Sequence, residues 1–480
     1  MKTYQFRISE PLFDRLHRHL FPGDGDEHGA VITAGIAETA SGVRFLARDV
    51  ILAQDGRDFV PGKFGYRMFP ADFVARISNL CAREKLCYFS AHSHGGHDSV
   101  EFSEVDLQSH RRGHPALLDI THGGPVGGLV FAENAVAGEI WTEKGVSRLN
   151  NMTIAGLNVR RLYPCKQQRT APSDQAYHRQ SLMFGDVGQS LLKSAKIGII
   201  GLGGVGSLVN EYLARLGVGE ILAIDFDRVE DTNLSRIVGS KRSDSAAWLC
   251  SSRIKMLRRL GDKIAKRKVH VSERVAKQAN PHIRYRPIIG DVTERSVAEL
   301  LRDMDFIFLC ADSMQSRLVF NALVHHYLIP GIQIGSKINV EQKSGALENV
   351  FSVARIVLPE PTGGCLLCNE LIPAAKLQEE ALSEEERRRQ AYVDEQLVVS
   401  PSVITLNALG SAQATNQFLL HFLGLFDPAR ASKGYMTNYS RENVWRRGDC
   451  RSDASCLHCG SSSHSGYGRG DRAHLPCKQS

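Results

Sequence analysis

The chain has 480 residues, 42% of them hydrophobic and 23% charged, with a formal net charge of +7 and eleven cysteines. That length calls for two or three domains with ample core, and no apolar run approaches membrane-spanning length. Met1–Ser9 alternates polar and apolar residues without the apolar stretch of a secretory leader, so a soluble cytoplasmic protein with reduced thiols is expected.

In chain order, Met1–Ile8 reads as a strand and Pro11–Leu20 as a short helix. Strands follow around Ala30–Ala34 and Val43–Leu52, then a helix near Ala71–Glu84 and a strand Lys85–Ser90. The last strand runs into Ala91-His92-Ser93-His94-Gly95-Gly96. Side chains two apart on a strand point the same way, so both imidazoles can meet one ion. Ser103 and Asp106 open the next helix, Phe102–Arg112.

This pattern resembles the JAB/MPN metalloprotease signature, H-x-H-x(7)-S-x-x-D with an upstream E-x-x-G. Glu27-His28-Gly29 through Gly35 is similar to the upstream element, offset by one residue before its glycine. Eight residues rather than seven separate His94 from Ser103, and Gly95 stands where proline is usual. The extra residue falls in a loop, which leaves the i, i+3 relation of Ser103 and Asp106 intact. The resemblance implies an α/β domain over residues 1–160, with His92, His94 and Asp106 holding a catalytic zinc. Glu27 would activate the metal-bound water, and Ser103 would support the oxyanion. His97 is a spare imidazole in the same loop. The alternative is a decayed docking domain in which His92 and His94 are ordinary polar residues at a strand end.

Residues 161–174, with two prolines, read as a linker. From Lys196 a short apolar strand breaks into Gly201-Leu202-Gly203-Gly204-Val205-Gly206, followed by an amphipathic helix and a second strand ending at Asp225. A strand, a glycine turn, a helix and an acid 19 residues past the last glycine make a nucleotide-binding βαβ unit. The glycines let backbone N–H groups approach phosphates at the positive end of the helix, and Asp225 would bind a ribose hydroxyl. Asp227, Asn233 and Arg236 follow, and arginine suits bidentate phosphate contact.

The whole is similar to the ThiF–MoeB–HesA family of ATP-dependent activators, with its G-x-G-G-x-G, D-x-D-x-V and N-L-x-R elements. Arg179-Gln180 and Gly188-Gln189 resemble the segment that opens the family's domain. Lys268 stands 12 residues before Asn280-Pro281, and Asp312, Arg317 and Asn321 follow the strand Asp305–Cys310 in the family's D-x(4)-R-x(3)-N pattern. The resemblance spans about residues 175–460 and implies a Rossmann-like fold that binds ATP and Mg²⁺. Gly201, Gly203, Gly204, Gly206, Asp225, Asp227, Asn233, Arg236 and Lys268 would bind the nucleotide. Asp312 would hold Mg²⁺, Lys268 and Arg236 would neutralise phosphate charge, and Arg179 would add a cation across a homodimer.

Between Lys241 and Lys268 ten Lys or Arg face two Asp, so the positive charge is local. Ile254, Leu257, Leu260 and Ile264 recur there at helical spacing, giving a basic amphipathic helix inserted relative to the family. Its charges form either a solvated face or a dock for an acidic partner. No groove-reading motif accompanies it, so no nucleic acid is expected. Cys365-x-x-Cys368 and Cys456-x-x-Cys459 have the spacing of two zinc-chelating pairs and read as one closed structural Zn²⁺ site. The loop Ile372–Leu397 matches the place where the family crosses over its active site, and no cysteine falls between Cys368 and Cys450 to serve as a thioester thiol. Either a thiol elsewhere serves, with Cys310 and Cys450 as the candidates, or the acyl-adenylate passes directly to another protein. Residues 461–480, rich in Gly, Ser and His, are expected to be disordered.

The two resemblances imply one substrate, a ubiquitin-like protein with a C-terminal glycine. The first domain would trim it or cleave it from targets, and the second would adenylate the exposed carboxylate in a bacterial ubiquitin-like conjugation system with a conjugating enzyme as a further partner. The first alternative is activation of a sulfur-carrier protein for thiamine, molybdopterin or siderophore synthesis, with the protease maturing the carrier. The second is a non-catalytic scaffold.

Overall fold

The computed structural model describes residues 2–61, 67–166, 174–341, 346–381, 401–431 and 433–478. Its N-terminal strands are β1 (Thr3–Ser9), β2 (Gly29–Thr39), β3 (Gly42–Leu52), the short ribbon β4 (Val60–Pro61) and β5 (Arg67–Met68), β6 (Cys87–Ser93), β7 (Val126–Ala132), β8 (Ala135–Thr142), β9 (Gly145–Arg148), β10 (Asn151–Ala155) and β11 (Arg160–Leu162). Nine of them form one mixed sheet in the order β11-β10-β1-β3-β2-β6-β7-β8-β9. β1, β3 and β6 each place a phenylalanine on one face, and Phe45 and Phe89 meet edge-on at 4.8 Å between ring centroids.

The second sheet contains β12 (Lys196–Ile200), β13 (Glu220–Ile224), β14 (Arg284–Ile288), β15 (Phe306–Leu309), β16 (Gly331–Val340), β17 (Leu347–Val357), β18 (Tyr435–Tyr439) and β19 (Val444–Gly448). Their order is β14-β13-β12-β15-β16-β17-β18-β19. The first five run parallel and the remainder antiparallel. Chain direction across the sheet reverses between β12 and β15, and ligands bind in the crevice at the C-terminal ends of strands around such a point. The α/β, Rossmann-like expectation holds for this half.

The two sheets are joined by buried charge. Arg7 on β1 donates to the carbonyls of Leu328 and Met304 and pairs with Asp305 at 3.1 Å. Burial first, then the neighbouring Arg44, lower its pKa to about 9, although Asp305 and Asp303 oppose the shift. Arg44 on β3 donates to three successive carbonyls, Arg302, Asp303 and Met304.

Several expectations are corrected. The helix expected over Phe102–Arg112 spans Glu104–Ile120, which brings His110 and His114 onto the same element. The linker expected over 161–174 begins as strand, since β11 reaches Leu162 and Cys165 bridges to Ser99; residues 167–173 lie outside the described ones. The basic insert folds as two short helices, Ala247–Cys250 and Lys255–Ile264. Leu249 is buried, but several of their apolar side chains stay uncovered, with Trp248 76% and Met256 74% exposed.

The tail is ordered through Lys478. Tyr467 is buried, its hydroxyl donating to the Pro359 carbonyl, and Leu475 is buried too. Gly470 adopts φ +57° and lies so close to the Ile36 carbonyl that a side chain there would collide with it. These anchors and close backbone approaches, which composition does not reveal, fix the segment.

Candidate functional site

Three constellations emerge. The first is a cavity of about 690 Å³ at the C-terminal ends of β12, β13, β14 and β15. Gly201 follows β12 with φ +87°, and a Cβ on Gly206 would strike the Gly201 carbonyl, so the turn into the helix Gly204–Arg215 requires glycine at both positions. Asp225 accepts from the Leu202 N–H at 2.7 Å and the Asp227 N–H at 2.8 Å. Burial raises its pKa, against the pull of Lys268 and those two N–H groups. Lys268 Nζ rests 2.6 Å from the Asp227 carboxylate.

The cavity brings together Gly201, Gly203, Asp225, Asp227, Lys268 and Asp312 from the expected nucleotide set. Gly204 and Gly206 lie in the first turn of the helix behind the loop. Asn233 is buried, its side-chain oxygen accepting from the Glu230 N–H, and Arg236 donates to the Thr232 carbonyl beside Gly204. Neither lines the cavity, and Arg179 is exposed on the helix His178–Ser194 away from it. The cavity wall also contains Asp291, Ser313, Gln315, Glu380 and Lys478, none of which was expected from sequence. Asp291 carried a signal, because it follows the end of β14 much as Asp225 follows β13. The Glu380 carboxylate accepts from the N–H groups of Met314 and Gln315 at 2.8 and 2.9 Å, capping the helix Met314–His326. Most of the expected crossover loop, residues 382–397, lies outside the described residues.

Two of the remaining motif residues are tied into structure. Arg317 donates to the Leu371 carbonyl at 3.1 Å. Asn321 accepts from the Leu366 N–H and meets His458 Nδ1 at 2.9 Å, so it links the two halves of the cysteine cluster. Cys310 borders the cavity, but burial pushes its thiol far up, and burial likewise raises Cys450; neither is poised as a thiolate.

The second constellation is that cluster. The Sγ atoms of Cys365, Cys368, Cys456 and Cys459 all lie within 4.8 Å of one another, with adjacent pairs at 3.6 Å. Four thiolates about 2.3 Å from a central zinc would be roughly 3.8 Å apart, so the donor set fits structural Zn²⁺.

The third sits at the end of β6. His92 is in register with Gly29 of β2 and Val130 of β7, and the His94 N–H donates to the Phe131 carbonyl. Asp106 arrives from the first turn of the next helix, where Ser103 is the N-cap in a capping box. His92 Nε2 and His94 Nε2 lie 3.4 and 3.3 Å from the Asp106 carboxylate and 3.2 Å from each other. These three donors fit one metal ion with an open side. Burial would raise the Asp106 pKa, but its bonds to His92, His94 and Ser103 hold it well below the usual carboxylate range. The Asp106 hydrogen bond raises His94 in turn. Glu27 Oε1 lies 3.9 Å from His94 Nε2. The additional residue between His94 and Ser103 is taken up in the loop. The Ser103 hydroxyl donates to Asp106 at 2.7 Å, a positioning contact, and His97 pairs with Glu133 away from the cluster. A cavity of about 420 Å³ beside the triad is lined by Glu27, Phe69, Tyr88, His110 and His114 among others.

No helix among the described residues is long and apolar enough to cross a membrane. The family model described as "ThiF family" matches residues 177–457, more than half of the chain. The molybdopterin-synthase adenylyltransferase of Haemophilus influenzae is 32% identical over 208 residues, covering 40% of this chain and 77% of the relative. The sulfur carrier protein ThiS adenylyltransferase of Bacillus subtilis is 32% identical over 147 residues, covering 30% of this chain and 39% of the relative. A solved structure of E. coli MccB with MccA-N7isoASN aligns over 90% of this chain and 99% of its own length, at 16% identity and a TM-score of 0.45. The matched stretches of the two curated relatives thus cover less than half of this chain.

Proposed function

Since the chain belongs to the ThiF family, we propose that it adenylates the C-terminal carboxylate of a sulfur-carrier or other ubiquitin-like protein at the expense of ATP. The observation that carries this is the cavity at the ends of β12–β15, where a glycine turn, Asp225, Lys268 and Asp312 converge. Asp225 binds the ribose, and Lys268 exchanges its bond to Asp227 for the phosphates. Asp312 holds Mg²⁺, which supplies charge neutralisation on the phosphates when bound. Arg236 and Asn233 join when the nucleotide draws them toward the first helical turn, and Arg179 acts on the site of a partner copy. A carboxylate oxygen attacks the α-phosphorus, the bond to the β-phosphate oxygen breaks, and pyrophosphate leaves.

The sulfur-carrier reading is preferred to conjugation. The relatives are named for molybdopterin synthase and the sulfur carrier ThiS, and no cysteine lies between Cys368 and Cys450 to carry a thioester. The decisive experiment is ATP–pyrophosphate exchange with candidate carriers ending in glycine. Exchange should depend on the carrier and fall by about 10²–10³ in Asp312→Ala. Absence of exchange and of ATP binding would refute the reading, and a carrier–amine conjugate in place of a thiocarboxylate would restore the conjugation alternative.

A second reading attaches to the N-terminal half, favoured by the convergence of His92, His94 and Asp106 beside Glu27. These residues would bind catalytic Zn²⁺ in a JAB/MPN-type peptidase, with Glu27 accepting a proton from the water that attacks a peptide carbonyl. Cleavage after the carrier's glycine would expose the carboxylate that the second half activates.

A further inference from the structure

The nucleotide cavity has a wall that the ThiF segment 177–457 does not supply. After Cys459 the chain turns back across both halves of the molecule. Arg48 on β3 donates to the carbonyls of Ser462, Ser465 and Tyr467, while Arg469 pairs with Glu84 at 2.8 Å. Gly470 bridges to Ile36 on β2, and Asp471 pairs with Arg302 at 2.6 Å. The segment then meets the cavity. Gln315 Nε2 donates to the Pro476 carbonyl, the Lys478 N–H donates to the Thr293 carbonyl at 2.8 Å, and Lys478 Nζ lies 3.1 Å from Asp291.

Charge explains why this matters. Among the described residues lining the cavity, Asp225, Asp227, Asp291, Asp312 and Glu380 face two cationic side chains, Lys268 and Lys478. Both lysines rest on cavity carboxylates, Lys268 on Asp227 and Lys478 on Asp291. A wall this acidic repels a polyanionic nucleotide unless metal and ammonium groups offset it, so each cation weighs on affinity.

We propose that residues 465–478 form a strap that completes the nucleotide cavity, and that Lys478 is a nucleotide-binding residue, releasing Asp291 to meet the phosphates of ATP opposite Lys268. The inference rests on the adenylation reading and extends it: the strap's hold on β2 and β3 links the N-terminal half to nucleotide affinity.

The test is calorimetric titration of the full-length chain with Mg·ATP, so no carrier is needed. Lys478→Ala should weaken ATP binding about fivefold, the scale of one half-exposed charge. Lys478→Glu should weaken it further, and Lys478→Arg should restore it. Thermal melting should be unchanged in all three, and the loss in Lys478→Ala should shrink as salt is raised. Arg48→Ala, which loosens the strap from the far side, should also weaken ATP binding although Arg48 touches no nucleotide. Unchanged affinity in Lys478→Ala and Lys478→Glu, with normal binding by the unmodified chain, overturns the strap proposal alone. Failure of the unmodified chain to bind Mg·ATP overturns the adenylation reading and the strap together.

Discussion

Replacing Arg44 by alanine should uncouple the two halves of the molecule. Its guanidinium donates to the carbonyls of Arg302, Asp303 and Met304 at 2.8, 2.9 and 3.1 Å. It is buried between β3 and the turn Glu299–Asp303, which leads into β15 and so toward Asp312. Arg7 also donates to Met304, and Lys196 holds the Asp303 carboxylate at 2.9 Å, so those two acceptors keep a partner. The carbonyls of Arg302 and Asp303 lose theirs. At about 1–3 kcal/mol for each buried acceptor left unpaired, the loss is about 4 kcal/mol, a large share of the roughly 5–15 kcal/mol that holds a domain folded. The assay is guanidinium unfolding followed by fluorescence, with Trp141 on β8 reporting the N-terminal half. With a slope of about 4 kcal/mol per molar, the interface-dependent transition should fall by about 1 M and separate from the remainder. Arg44→Lys should fall between, since one ammonium cannot span three carbonyls. A midpoint within about 0.2 M of the unmodified chain would refute the argument that this contact welds the halves.

Elemental analysis should find two zinc ions per chain, one lost in Cys459→Ser and the other in His92→Ala; retention of both in either variant would place that ion elsewhere. Acidification should loosen the contact between the Leu157–Val159 turn and the helix Ile404–Phe422. There His421 Nδ1 bonds the Leu157 carbonyl, and burial, only partly offset by that bond, lowers the pKa to about 4. The folded state favours neutral His421, so its contribution is complete above the unfolded value of about 6.5. It is lost at about 1.4 kcal/mol per pH unit as pH falls toward 4. Unfolding midpoints at pH 7.5, 6.0 and 5.0 should show this, and an unaltered slope in His421→Asn would contradict it.

What sequence disclosed and what it hid divides along the distance between partners. The glycine turn, Asp225 and the i, i+3 relation of Ser103 and Asp106 are set by residues close in the chain, so spacing alone carries their geometry. Lys268 and Asp227 lie 41 residues apart yet were legible, because each closes a motif of fixed spacing and strand order brings the motifs together. Asn233 shows the limit: its type and place fit a phosphate ligand, but its side chain is spent on the Glu230 backbone.

The strap is the opposite case. Its partners are as far away as Glu38, whose N–H donates to Asp471 across 433 residues, and no periodicity can announce such a contact. Composition there argued for disorder, since glycine, serine and histidine bury little apolar surface. The structure uses the same glycines otherwise. A side chain at Gly466 would collide with the His326 ring, and one at Gly470 with the Ile36 carbonyl. Each small residue therefore lets backbone lie against the core, and a few side chains, Tyr467 and Leu475 by burial and Arg469, Asp471 and Lys478 by charge, fix the path between approaches. Low hydrophobicity marks disorder when a segment must build its own core. It carries no such meaning when the segment lies in a groove lined by the rest of the fold, and here that groove ends at the cavity beyond β12–β15.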